Sequence, residues 1–168
     1  MTKEKNWFAL YTKPRSEFKA EKDISALGIE NYLPVVIKIK QWSDRKKKIK
    51  EPVLNGYIFV YADEKERITA LETNSVVRCI FENGKPAVIY DWQIENLKRF
   101  LDEKADFLIN NGIEKGTKIK IKSGPFEGVI GVIVSGNNKN TLTVNLDLLN
   151  RSISAVLPAG VEFDIVKE

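Results

Sequence analysis

The side chains able to do chemistry in this chain are chiefly cations and carboxylates, because it has no histidine and a single cysteine, Cys79. Without imidazole there is no Ser-His-Asp or Cys-His nucleophile, no HExxH zinc site and no imidazole proton shuttle. One thiol forbids an intramolecular disulfide and any thiolate-rich cluster. No metal and no cofactor is expected. Catalysis would have to run on carboxylates, lysine or hydroxyls. Carboxylates cluster at Glu64 and Glu66 and at Asp102 and Glu103. Both pairs fall on helix faces expected to be exposed, where solvation is the ordinary role of such residues. The run Gly124-Pro-Phe-Glu-Gly-Val-Ile-Gly131 is glycine-rich, yet no Lys-Ser/Thr pair follows and it leads into a strand, so it is not a phosphate-binding loop. Its glycines read as turn and bend formers. Nothing in the sequence is an enzyme signature.

The cations carry more information. The 168 residues include 27 Lys and Arg against 23 Asp and Glu, a net charge of +4. Up to Phe100 there are 19 basic and 14 acidic residues, and beyond it 8 and 9. Basicity therefore belongs to the first part. Within it, Lys38, Lys40, Arg45, Lys46, Lys47, Lys48 and Lys50 face Asp44 alone. Alternating apolar residues flank them: Ile37, Ile39 and Trp42 before, Ile49 and Val53 after. That pattern predicts a protruding β-hairpin with a basic tip, able to touch phosphates while reading little sequence. A second set, Arg15, Lys19 and Lys22, is spaced to lie along one face at the start of a helix. Cations there oppose the helix dipole, which favours a binding role over a structural one.

The elements that must position these groups follow from periodicity. Asn6–Thr12 reads as a central strand, Ser16–Leu27 as a helix ended by Gly28, and Ile29–Ile39 as an extended stretch interrupted by Pro34. After the basic hairpin come a core strand, Gly56–Ala62, and a short helix over Glu64–Glu72. Two strands, Val76–Phe81 and Ala87–Tyr90, flank Asn83-Gly84, a type I′ hairpin signal. Asp91 is a credible N-cap for a helix through Lys104, with Ile94, Leu97 and Leu101 on its buried face. Periodicity is then lost over 106–114, which reads as a linker. Beyond it the pattern is entirely β: Thr117–Lys122, Val129–Val134, Thr141–Leu146, Ile153–Leu157 and Val161–Val166, with turns at Gly136–Asn140 and Pro158–Gly160. Five short strands fit a small SH3-like barrel. The expectation is an α+β domain over 1–105, a linker over 106–114 and a barrel over 115–168. The charged start, Met1-Thr-Lys-Glu-Lys-Asn6, has no apolar signal core. The apolar run Tyr57–Ala62 falls far short of the roughly 20 residues of a membrane span. A cytoplasmic monomer without membrane contact is expected.

Three segments in order resemble the NusG family of transcription elongation factors. They are Trp7-Phe8-Ala-Leu-Tyr11-Thr-Lys13, then Pro52-Val-Leu-Asn-Gly-Tyr-Ile-Phe-Val60, then Gly116–Val134, which is similar to a KOW motif through Lys120-Ile-Lys-Ser-Gly-Pro-Phe126. The resemblance implies a ferredoxin-like N-terminal domain with an inserted β-hairpin, bound to the clamp helices of RNA polymerase, plus a KOW barrel. It places Tyr11, Leu54, Tyr57 and Phe81 on the apolar clamp-binding surface, and Thr69 on the segment that meets the opposite side of the cleft. Lys13, Arg15 and Lys19 fall where specialised members touch the non-template DNA strand. Lys22 on the helix stripe and Arg45, Lys46, Lys47 and Lys48 on the arm join them as nucleic-acid candidates. Phe126 and Leu149 lie near the positions through which the KOW domain recruits Rho or a small-subunit ribosomal protein, with Leu149 replacing an aromatic residue. Asn55-Gly56 stands where the general factor commonly has Pro-Gly, and the short basic hairpin and the Tyr11-x-Lys13 pattern look closer to the operon-specific RfaH- and UpxY-type paralogues, nearest to the antiterminators of capsular polysaccharide operons. A general NusG-like coupling factor and a KOW-type RNA-binding or ribosome-associated module are the alternatives. The stretch after Thr141 is rich in Thr, Val and Ile and favours a barrel, while Leu146–Asn150 leaves room for an alternative helix.

Overall fold

The computed structural model describes residues 4–136 and 138–167. Residues 1–3, Asn137, within the turn expected at 136–140, and Glu168 lie outside the described residues. The chain divides into two compact units between Asp91 and Trp92.

The first unit is built around strand β1 (Asn6–Thr12), followed by helix α1 (Glu17–Ala26) and a short strand β2 (Glu30–Tyr32). A hairpin comes next, β3 (Val35–Gln41) and β4 (Lys46–Pro52), then β5 (Tyr57–Ala62), α2 (Glu64–Leu71) and β6 (Val76–Cys79). The sheet order is β2-β5-β1-β6, with each pair antiparallel, which is the ferredoxin-like arrangement once the β3–β4 hairpin is set aside as an insertion. Alternation along the strands sends Phe8, Leu10, Ile58, Val60 and Ala62 into one core with Ala20 and Ile24 of α1 and Ala70 of α2. The opposite sheet face is aromatic, with ring pairs Trp7–Tyr61 at 5.4 Å and Tyr32–Phe59 at 6.3 Å. Asp63 caps α2 reciprocally: its carboxylate accepts from the Glu66 amide, and Glu66 accepts from the Asp63 amide. Asn83 and Gly84 both take positive φ, 52° and 76°, as a type I′ turn requires, and join the two-residue strands β7 (Phe81–Glu82) and β8 (Lys85–Pro86). The expected strand at 87–90 makes only the single bridge Trp7–Ile89.

All but the first residue of helix α3 (Asp91–Leu101) falls in the second unit. Its buried residues are Ile94, Asn96, Leu97 and Phe100, so Phe100 takes the place expected of Leu101. The six-stranded sheet that follows runs β14-β10-β11-β12-β13-β9. Its strands are β9 (Leu108–Asn111), β10 (Thr117–Ile121), β11 (Ile130–Gly136), β12 (Lys139–Leu146), β13 (Arg151–Leu157) and β14 (Phe163–Ile165). The stretch read as a linker thus contains an edge strand: β9 pairs with β13 through Ile153–Ile109 and Ser154–Leu108. All four residues of β9 are exposed, so no inward-outward alternation marks the strand in the sequence. Asp147–Leu149 closes as a single 3₁₀ turn between β12 and β13. Gly131 lies so close to the neighbouring strand that a Cβ there would stand 2.6 Å from the Thr143 carbonyl oxygen.

Candidate functional site: an aromatic row, a basic arm and a masked barrel loop

Three neighbouring strands carry a row of side chains across the aromatic face of the first unit. Tyr11 on β1 is in register with Tyr57 on β5 and with Arg78 on β6. The two rings meet edge-on at 5.5 Å, and the Arg78 guanidinium lies 5.5 Å from the Tyr11 ring centre. Both tyrosines are half-buried, so their bodies are packed while part of each ring faces solvent. The loop before β5 holds this row in place. Gly56 has φ +88°, and a Cβ on it would stand 3.1 Å from Tyr11 Cε2. Its carbonyl accepts from the Thr12 amide at 2.8 Å, and its own amide donates to Glu17 Oε1 at 3.1 Å. Glu17, in the first turn of α1, is buried, so one carboxylate ties helix, loop and strand together. Beside the row opens a groove of about 580 Å³ lined by Tyr11, Thr12, Arg15, Phe18, Pro52 and Asn55 among others.

The expected polymerase-binding residues are not equivalent. Tyr11 and Tyr57 are brought together. Leu54 is only 2% exposed and belongs to the core, so the expectation of a surface contact there fails. Leu54 lies beyond the end of β4 and opens the turn into β5, its carbonyl accepting from the Tyr57 amide at 3.2 Å while its side chain, like that of Val53, is buried. Phe81 is exposed on the separate β7–β8 hairpin. Thr69, half-buried on α2, donates its hydroxyl to the Lys65 carbonyl at 2.9 Å and lines a second groove with Asp63, Ile68 and Glu72.

Lys13, Arg15, Lys19 and Lys22 are all exposed. Arg15, however, precedes α1 in the left-handed region at φ 59°, with Ser16 as the cap residue, so it is not part of a helical stripe. Only Lys19 and Lys22 share the helix at the expected spacing.

Arg45, Lys46, Lys47 and Lys48 are exposed on the β3–β4 arm, whose strands are paired from Val35–Pro52 to Gln41–Lys46. Glu51 receives Lys40 at 2.9 Å and Lys38 at 3.3 Å, and these two ammonium groups hold its carboxyl below the usual carboxylate range. Lys47 lies 4.5 Å from the Trp42 ring centre.

Within the core, Arg67 of α2 pairs with Glu64 at 2.7 Å and lies 5.7 Å from the Phe8 ring centre. Burial opposes its charge, but the Glu64 carboxylate outweighs that and raises the guanidinium above its ordinary pKa. Burial pushes the Cys79 thiol up.

In the second unit the proposed partner residues are covered. Phe126 is 2% exposed and Leu149 6%, so neither presents a docking surface in this structure. The Phe126 ring packs 5.3 Å from Phe100 of α3 and 6.4 Å from Phe107. Phe126 itself has φ 68°, a conformation a bulky side chain rarely adopts. Arg99 of α3 lies over the adjacent Gly128, where a Cβ would stand 2.7 Å from its Nη1 atom. Asn96 closes the contact by donating to the Ile130 carbonyl and accepting from the Ile130 amide, both at 2.7 Å.

Sequence reasoning did not single out Glu17, Arg78 or Asn96. Glu17 had a legible signal, a carboxylate in the first turn of a helix. Arg78 and Asn96 had none, because strand register and helix docking select them.

Comparison with known proteins agrees with the fold. The family model described as transcription termination factor nusG matches residues 5–98. Among solved structures, one of Thermotoga maritima NusG, concerned with its domain interaction, is similar at 24% identity and a TM-score of 0.52, covering 98% of each chain. No curated protein matches the chain.

Proposed function

The chain belongs to the NusG family, and a role in transcription elongation or termination follows. From that premise we propose an operon-specific antiterminator that binds RNA polymerase through the Tyr57–Tyr11–Arg78 row and its surroundings. The observation that carries the reading is this row: two half-exposed aromatic rings and a guanidinium, locked in register on three strands beside an open groove. Tyrosine and arginine on a rigid support are the side chains that most often dominate a protein interface. Phe81 extends the apolar contact, and Thr69 on α2 faces the other wall of the polymerase cleft. Lys13, Arg15, Lys19 and Lys22 meet the non-template strand, and the β3–β4 arm adds phosphate contact. No covalent step is needed. A protein that binds the closed polymerase clamp better than the open one shifts the clamp toward closure by its differential affinity, and pausing falls accordingly.

The test is co-purification with core RNA polymerase. Tyr57→Ala with Phe81→Ala is expected to abolish it while the circular dichroism spectrum stays unchanged. Retained binding in that double variant would overturn the surface. Polymerase occupancy restricted to one operon supports the specialised reading, and genome-wide occupancy would replace it with a general coupling factor.

A further inference from the structure

The two faces of the β3–β4 arm differ in a way that selects a ligand. Strand pairing places Lys38, Lys40, Lys47, Ile49 and Glu51 on one face, and Trp42 joins them beneath Lys47. On that face Lys38 and Lys40 share the one carboxylate of Glu51, Lys47 lies over Trp42, and Ile49 is half-buried. The other face presents Ile37, Ile39 and Gln41 opposite Lys50, Lys48 and Lys46. Ile37 and Ile39 are 61% and 65% exposed, and all three lysines are exposed. No acidic side chain lies on this face between Gln41 and Ile37, and no ion pair involves these lysines among the described residues. Lysines two residues apart on one strand repeat at about 6.8 Å. The result is a cationic rail beside an aliphatic strip.

We propose that this face is a binding surface for duplex DNA, with the two-stranded ribbon seated in the major groove. The proposal rests on the nucleic-acid reading of the arm given above and sharpens it to one face and one ligand. A B-form major groove admits a two-stranded β-ribbon, whereas the deep, narrow major groove of A-form RNA does not. Single strands are held by stacking on aromatic rings, and this face has none, since Trp42 lies on the other side under Lys47. Aliphatic methyls fit the thymine methyl at the groove floor, and the lysines reach phosphates or guanine edges. The arm projects as its own two-stranded sheet, so it can enter a groove without disturbing the main sheet.

The experiment uses the full chain and a short fluorescein-labelled DNA duplex, with anisotropy followed across a salt series. Lys46→Gln, Lys48→Gln and Lys50→Gln together are expected to reduce the slope of log affinity against log salt by about 2.7, three phosphate contacts at roughly 0.9 each. Lys38→Gln, Lys40→Gln and Glu51→Gln together should reduce it by less than about one contact's worth. Ile37→Ser with Ile39→Ser should weaken duplex binding while leaving the slope unchanged. Equal effects of the two lysine sets would overturn the proposal. So would competition by the separated strands, by duplex RNA of the same sequence or by poly-glutamate at the strength of the DNA duplex, or an absence of duplex binding. The Lys46, Lys48 and Lys50 variant is expected to keep its polymerase co-purification, and the Tyr57 and Phe81 variant its duplex binding. Failure of the ribbon reading is thereby separate from failure of the polymerase surface.

Discussion

Replacing Asn96 by alanine removes the side chain that fastens helix α3 to strand β11. The structure gives the magnitude. Asn96 makes two hydrogen bonds of 2.7 Å to the amide and carbonyl of Ile130, and it is itself buried. Truncation leaves two backbone groups without their partner, at about 1–3 kcal/mol for each group that water does not reach. A total near 2–6 kcal/mol corresponds to about 30- to 20,000-fold in a local opening equilibrium. A global melt would mix the two compact units, so the assay is amide hydrogen exchange read by peptide. Peptides covering α3 and the start of β11 should exchange faster by that factor, while those covering β1 and β5 keep their wild-type rates. Glu95→Ala, at the neighbouring residue and in an exposed pair with Lys98 at 3.6 Å, is the control and should change exchange little. Wild-type protection of the Ile130 amide in the Asn96→Ala protein would refute the clasp.

Leu54→Ala should destabilise the first unit by about 2–5 kcal/mol, measured as a lowered denaturation midpoint, because Leu54 is a core residue rather than a surface contact. Gly131→Ala should destabilise the barrel, read as faster exchange in β11 and β12, because the added methyl meets the Thr143 carbonyl, a backbone atom with nowhere to go. The Glu51 carboxyl is depressed in the folded arm, so its bridge to Lys38 and Lys40 is fully present above the unfolded carboxylate pKa and is lost as pH falls through the folded value. Chemical shifts of Lys38 and Lys40 should therefore move with Glu51 in acid and stay constant at neutral pH. Cys79, buried and with a raised pKa, should react with a thiol reagent only slowly until denaturant is added.

What could be read without coordinates was set by short-range physics. Alternation of apolar residues along Asn6–Thr12 and Tyr57–Ala62, the Asn83-Gly84 turn and the lysine-rich arm depend on neighbours in the chain, so their residue types and spacing sufficed. The same holds for the missing histidines, which removed whole classes of chemistry, and for the ordered segments that carried the family resemblance. Tertiary structure decided whatever depends on long-range register. The pairing of β1 with β5 and β6 put Arg78 beside Tyr11, though 67 positions separate them in the chain. Packing of the loop before β5 buried Leu54, and β13 recruited 108–111 as a strand with no inward-facing residue to announce it. Docking of α3 hid Phe126, a residue whose position in a glycine-rich loop gives no sign of cover. Above all, hairpin register sorted six similar lysines into a face where Glu51 pairs with two of them and a face that holds no acidic residue. A sequence counts charges, but only the fold determines which of them already have a partner.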